Sequence, residues 1–483
     1  MPAWKRLPAR FTVLVVLFVA RTQMGGAQSA PMSPDRPWRY SVAQEPRGRG
    51  LASQPEFSLD IGKTWSLAEL IDLAEAHNPE TRAAWELACA QAAALGVARS
   101  ELFPVLVVIA SSQTVRREAF FGSHFTPQTI QALDATFALS YTVFDFGGRA
   151  GRIDAARAQA LGSNFAFNDA HRRVIFTVEQ AYYRLLNAQG QQDAARASLA
   201  NSEAVQQAAE ERLKLGLATL PDVLDAQSAT AQAQFDLQIT LGSVRIAGGD
   251  LATAVGVSPT TAIRVEAISA LPIPESIGET VSEAIERGFR QRPDLMENLA
   301  DIDAASGKLK DARSRFYPTL TFNATPTPQA LFGFQGGHPT GYTSDLAGQL
   351  SLALSWTVFD GGANKNNFEE AKAGMRATQA KAQVIRDRIA NEIWAAYADF
   401  ETSIGQRKAA AALLKAAGQS YSAAIESYND GVRTLLDVTN AQRILAQARL
   451  ADVTARTQVL ITLSDLAYAA GDSVEPRTRR TGP

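Results

Sequence analysis

One repeat limits this chain more than any other feature. Residues 216–233, GLATLPDVLDAQSATAQA, return as residues 431–448, GVRTLLDVTNAQRILAQA, with ten of eighteen positions identical, no gap, and an offset of 215. Other pairs fall at offsets of 214 or 215. They include Pro79 and Pro293, Pro104 and Pro318, and Tyr182 and Tyr397, and YTVFDFGG from Tyr141 with WTVFDGG from Trp356. The period far exceeds the 20–50 residues of stacked repeat proteins. The chain is therefore a tandem duplication of a sizeable substructure, with a pseudo-symmetry axis between the copies.

Each copy reads alike. A short helix (66–76; 280–290) ends near a proline, and a second helix runs to Leu102 or Arg315 and is closed by Pro104 or Pro318. After VFD and its glycines come long runs without helix breakers, from about 150 to 213 and from 363 to 428, rich in Ala, Gln, Glu, Lys and Arg. These are strong helix formers, and at ~1.5 Å per residue each run would span ~100 Å. Gly216 and Gly431 break the runs and a helix returns, so each copy predicts a long helical hairpin tipped by the repeated motif.

The remaining segments have period two. LSLALSWTVF sets Leu350, Leu352, Leu354, Trp356 and Val358 on one face and Ser351, Ala353, Ser355 and Thr357 on the other. ATFALSYTVF does the same with Phe137, Leu139, Tyr141 and Val143 against Ala138, Ser140 and Thr142; TLTFNAT alternates Leu320 and Phe322 with Thr319, Thr321 and Asn323. Alternation is a strand pattern, and by itself it would also suit a sheet on a soluble core. A length near ten residues and large apolar side chains opposite small polar ones favour tilted outer-membrane strands. Strands are expected at 105–116, 135–145, 318–325 and 348–359, joined by long outer loops rich in Gly, Pro and aromatics. Four strands leave open edges, which lipid does not tolerate. Closed bacterial barrels start at about eight strands, so the chain must assemble with copies of itself.

The N-terminus has Lys5, Arg6 and Arg10 before the apolar run FTVLVVLFVA, then small residues in MGGAQSA. This is the layout of a secretory signal, expected over 1–30 with cleavage after Ala27 or Ala30. The expected units are then a flexible segment 31–63, a first repeat 64–257 (tip 216–222), an equatorial linker 258–278, a second repeat 279–472 (tip 428–440) and a disordered tail 473–483. Lys plus Arg (47) nearly balance Asp plus Glu (49), so no basic field points to nucleic acid.

Together, the two repeats, both VFD strand ends, both helix–strand prolines and both G…T…DV…AQ tips resemble the TolC family of outer-membrane efflux and secretion channels, over essentially the whole mature chain. The resemblance implies a mainly α fold with a membrane β-barrel. Three copies would share a twelve-stranded barrel in outer-membrane lipid, continued by an α-helical tunnel through the periplasm. It implies the exit duct of a tripartite efflux or type I secretion system, passively carrying substrates from an inner-membrane pump (RND or ABC type) through a periplasmic adaptor, with no cofactor. At the tips it implies a closed gate. Tyr428 and Arg433 match residues linking to a neighbouring hairpin, and Asp222 matches their acidic partner. Asp437 matches one of two acidic positions at the constriction, and Asn440 stands where the second is often Asp, so weaker binding of blocking cations is expected. Gly216, Leu217, Ala218 and Thr219, with Gly431, Val432 and Thr434, would form the turns where an adaptor docks.

Two other classes compete. An enzyme would need a constellation that is missing: His77, His124, His171 and His338 lack metal-ligand spacing, and no nucleophile–base pair is evident. A soluble periplasmic coiled coil or adaptor would not need the four alternating strands. The single cysteine, Cys89, in an Ala-rich helical pattern, reads as a small buried residue. Nothing in the sequence names the cargo, the pump or the adaptor.

Overall fold

The computed structural model describes residues 62–472, apart from 267–270, 277, 336 and 337, all within the compact unit Ser58–Pro483. The signal peptide, almost all of segment 31–63, and tail 473–483 lie outside the described residues.

The duplication is visible as equal lengths. Helices α1 (Leu67–His77) and α5 (Val281–Gln291) have 11 residues each, and α2 (Pro79–Ser100) and α6 (Pro293–Ser314) have 22. The long helices α3 (Gly148–Lys214) and α7 (Ala363–Asn429) have 67 residues, about 100 Å at ~1.5 Å each. Their return helices α4 (Leu220–Val255) and α8 (Leu435–Ala470) have 36. Strands β2 (Val105–Phe121), β3 (His124–Phe144), β5 (Thr319–Gln335) and β6 (His338–Ser355) form one antiparallel sheet in the order β2-β3-β5-β6. The two-residue strands β1 (Thr64–Trp65) and β4 (Arg264–Val265) pair in parallel beside the first repeat.

The repeated VFD…GG has a local cause. Asp145 accepts the Arg149 amide, and Asp360 accepts the amides of Gly362 (2.9 Å) and Asn364 (2.7 Å). Each carboxylate thus satisfies free amides at the start of a long helix and meets the positive end of its dipole. Gly147 and Gly362 precede those helices at φ 93° and 92°, a left-handed conformation that favours glycine. Pro79 and Pro293 open the second helices, where a missing amide costs nothing.

Cross-strand register gives the sheet two unlike faces. Tyr141, Phe322 and Leu352 lie opposite one another on one face, and Ser140, Asn323 and Ser351 on the other. On the second face the hydroxyls of Thr136 and Thr327 meet at 3.2 Å. The apolar face is bare in a single chain, with Leu350 76% exposed. Both edges, β2 and β6, are unpaired among the described residues.

Three expectations need correcting. The long outer loops are strand. β2 continues to Phe121 and β3 starts at His124, while β5 runs to Gln335 and β6 starts at His338, so the strands outrun the ~9–11 residues a membrane needs. β6 also stops at Ser355 rather than 359. Its partner β5 begins at Thr319, opposite Ser355, and the Trp356 indole N–H turns instead to the Phe316 carbonyl at 3.1 Å. Cys89 is exposed, not buried. Within one chain α2 packs mainly on α3, which leaves its outer face, with Trp85 and Leu87, uncovered.

Each repeat has a core of its own, the first formed by α1, α3 and α4 around Leu70, Tyr182 and Leu251, the second by α5, α7 and α8 around Ile389, Ile393 and Val459. Near the sheet, α3 and α6 touch backbone to backbone at Gly151 and Gly307, and Arg152 bridges Asp311 and Glu101 across the same junction. Among the described residues, no helix is long and apolar enough to cross a membrane.

Candidate gate at the hairpin tips

Each tip is built by the same local chemistry. At the end of α3, Gly216 (φ 74°) lets the chain turn, and the Leu217 amide returns to the Arg212 carbonyl at 2.8 Å. At the end of α7, Gly431 (φ 78°) plays the same part, and the Val432 amide returns to Ser427 at 2.8 Å. These are glycine C-caps that satisfy otherwise free helix carbonyls. The repeated threonine and aspartate then start the return helix. Asp222 Oδ2 accepts from the Thr219 amide (2.8 Å) and hydroxyl (2.7 Å). Asp437 Oδ2 accepts from the Thr434 amide (3.1 Å) and hydroxyl (2.8 Å), while the Asp437 amide donates back to the Thr434 hydroxyl. The G…T…DV spelling is thus a turn followed by an acidic helix cap.

These bonds hold both carboxyls below their ordinary range. For Asp222 the causes are the Thr219 hydroxyl and then its amide. For Asp437 they are the Thr434 hydroxyl, its amide, and more weakly the charge of Arg433. Both are therefore anions at neutral pH. In each case the threonine bonds use Oδ2.

The two tips share one apolar core, which includes Ala209 of α3, Val223 and Ala226 of α4, Tyr428 of α7, and Leu435 and Val438 of α8. The Arg212 guanidinium lies over the Tyr428 ring, 4.4 Å from its centroid, and donates to the Tyr428 carbonyl at 2.9 Å. It thereby caps the end of α7 from the other hairpin.

The expected site residues are thus distributed as follows. Tyr428 is buried and meets the first hairpin through Arg212. Arg433, Asp437 and Asn440 are exposed, as are Gly216, Leu217, Thr219, Gly431, Val432 and Thr434; Asp222 and Ala218 are half-buried. Within one chain Arg433 and Asp222 do not pair, and each aspartate is held by its own threonine. Sequence reasoning missed Arg212. Its signal was a cation in the last turn before the tip glycine, a place where cations meet free carbonyls. Among the described residues, no group of His, Cys, Asp and Glu is arranged to hold a metal ion.

A family model described as outer membrane efflux protein matches residues 70–257 and again 284–472. Among curated proteins, the chain is 26% identical over 415 residues to Protein CyaE of Bordetella pertussis, covering 84% of each. It is 24% identical over 473 residues to outer membrane protein OprJ of Pseudomonas aeruginosa, covering 95% of this chain and 94% of that one. Among solved structures it superposes on the outer-membrane channel OprN with a TM-score of 0.74, covering 87% and 95% of the two chains at 19% identity. On the outer membrane protein VceC of Vibrio cholerae the TM-score is 0.70, covering 84% and 96% at 21% identity. At such identities the structural likeness is one of fold. With both halves matched by its model, the chain belongs to the outer membrane efflux protein family.

Proposed function

We propose that this chain is a subunit of an outer-membrane channel-tunnel that serves as the passive exit duct of a tripartite efflux or type I secretion system. One observation carries the reading. A single duplicated chain joins a four-stranded sheet with a bare apolar face and two unpaired edges to two helical hairpins with 67-residue arms. Unpaired edges in lipid cost several kcal/mol per free backbone group. Three copies would contribute twelve strands and close the barrel, leaving six hairpins to form the tunnel in the periplasm. The duct carries out no chemistry, and the power comes from an inner-membrane pump acting through a periplasmic adaptor. A helical adaptor hairpin fits the exposed turns at Leu217 and Val432.

The tips act as the gate. In the ring, Asp437 of each copy turns toward the narrow end and focuses negative potential there, favouring cations. Arg433 of one hairpin and Asp222 of another form an exposed link worth ~1 kcal/mol or less, weak enough for a docking partner to break. The test is single-channel current from the mature protein in a planar bilayer. Replacing Arg433 and Asp222 with alanine should raise the conductance, and divalent cations added on the tip side should lower that of the wild type. A protein that stays soluble without detergent and passes no current would sink the channel reading. Unchanged conductance in the double variant would sink the gate.

A further inference from the structure

Within one chain, α3 packs along α8. An offset of 215 carries α3 onto α7 and α8 onto α4, so the equivalent seam sets α7 of one copy against α4 of the next.

Two positions of the within-chain seam show what its counterpart lacks. Gly190 of α3 leaves room for Val453 of α8, whose Cγ1 would lie 2.6 Å from an added Cβ. The residue equivalent to Gly190 on α7 is again a glycine, Gly405, yet nothing lies within 4 Å of the Cβ position there. The notch is kept, and the helix that would fill it is absent from the single chain. Nearer the start of α3, buried Glu179 accepts the Ser464 hydroxyl of α8. The equivalent pair is Trp394 on α7 and Gly249 on α4, a large residue opposite a bare backbone.

Both halves of that pair are unexplained within one chain. Trp394 is 57% exposed where Glu179 is 7% exposed. Helix α4 carries Gly242, Gly248 and Gly249, whereas α8 has no glycine. A Cβ at 249 would reach only Pro259, at ordinary distances of 3.5 and 3.7 Å, and one at 242 or 248 would meet nothing. Glycine inside a helix costs ~1 kcal/mol relative to alanine, and the chain's own packing requires none of the three. Ile239 of α4, equivalent to the Thr454 that accepts from Gln191 of α3, is exposed as well. A second copy of this chain is the occupant, because the repeat itself specifies which helix faces Trp394.

We propose that Trp394 is the anchor by which one copy recognises the next, its indole seated on the bare backbone at Gly249 of the neighbouring α4. The proposal rests on the ring of copies proposed above. The two seams then reject each other's partners. Glu179 opposite Gly249 would be buried without its hydroxyl donor, at the full desolvation cost of the carboxyl group. Trp394 opposite Ser464 would overfill a packed seam. Exchanging a polar pair for a large-and-small pair thus fixes the order of the hairpins around the ring, by misfit with the wrong neighbour as well as fit with the right one.

Variants of the full mature chain in detergent test it. Trp394→Ala should keep its helical circular dichroism, since the side chain is exposed within one chain. Its oligomer should come apart on dilution at a protein concentration roughly 30-fold or more above that of the wild type, the effect of losing a central interface tryptophan. Trp394→Glu should weaken the oligomer likewise, and adding Gly249→Ser, which rebuilds the Glu179–Ser464 pair between copies, should restore most of the loss. In a Cys89→Ala background, Trp394→Cys with Gly249→Cys should link copies into dimers and trimers on non-reducing denaturing gels. Trp394→Ala oligomers as resistant to dilution as the wild type, no rescue by Gly249→Ser, or cysteines that never link copies would each overturn the anchor. Light scattering and bilayer current of the wild type come first. A wild-type monomer that passes no current removes the channel reading and the anchor with it, whereas a conducting oligomer indifferent to Trp394 removes the anchor alone.

Discussion

Leu350 and Ser351 are neighbours in the chain that face opposite ways, and arginine at each should have opposite consequences. Leu350 lies five residues before the end of β6 at Ser355, opposite Ala324 on the apolar face. At ~3.3 Å per residue that is ~17 Å along the strand, or ~12 Å of depth at a tilt of ~45°. This is half of an apolar band ~25 Å tall, so Leu350 sits at the midplane, where arginine costs ~2–4 kcal/mol. Because Leu350 is 76% exposed in the chain, little protein packing is lost with it and the membrane term dominates. A cost of that size lowers the folded population roughly 30- to 1000-fold. Ser351 faces the other way, opposite Asn323, on the polar side that a closed barrel turns to water. Arginine there should leave folding near wild type and reduce cation current through added positive charge. Urea titration of the detergent-solubilised oligomer reads the first effect, and bilayer conductance with ion substitution reads the second. Normal folding of Leu350→Arg together with loss of folding in Ser351→Arg would show that the faces are assigned the wrong way round.

Two further outcomes concern the helices. A Cβ at position 307 would lie 2.6 Å from the Ala155 amide nitrogen and 2.7 Å from the Gly151 carbonyl. Gly307→Ala should therefore be destabilising, since ~1–3 kcal/mol of overpacking exceeds the ~1 kcal/mol of helix propensity; a lower thermal midpoint by circular dichroism checks this. Burial raises the Glu179 carboxyl, opposed only by the Ser464 hydroxyl. A raised acid stabilises the fold below its unfolded pKa of ~4.3 and loses that contribution as pH climbs through the folded value. Glu179 should thus lower the wild-type midpoint from mild acid toward neutrality, and Glu179→Gln should make that slope shallower. A residual slope is expected from Asp465, Glu297 and Asp472, which burial also raises.

The helices were legible because the pattern that forms them is local. Glycine, proline and the acidic caps mark helix ends in the chain itself, and α7 begins at Ala363 where the sequence places it. The strands were legible near the helix junctions, where alternation is strict, and not beyond. His124–Phe144 runs as strand through HFTPQTIQ, whose apolar and polar residues follow no period, because β2 pairs with it from His124 to Ser140. Pairing across a hairpin is a tertiary fact that a single segment does not record. Arg212 was missed for the same reason. Its partner Tyr428 is 216 residues away on the other hairpin, and neither residue names the other in sequence.

The equal helix lengths place the two copies under an inheritance rule that their sequences escape. Most positions have diverged since duplication, yet 11, 22, 67 and 36 residues recur in order. Deleting one residue from α7 alone would draw its tip back by ~1.5 Å and turn it by ~100° relative to the tip of α3. In the proposed ring, where the hairpins must end in one plane, such a change in either copy is punished at once. Substitutions can therefore accumulate independently in the two halves, whereas insertions and deletions in the helical arms persist only when both halves receive the same one.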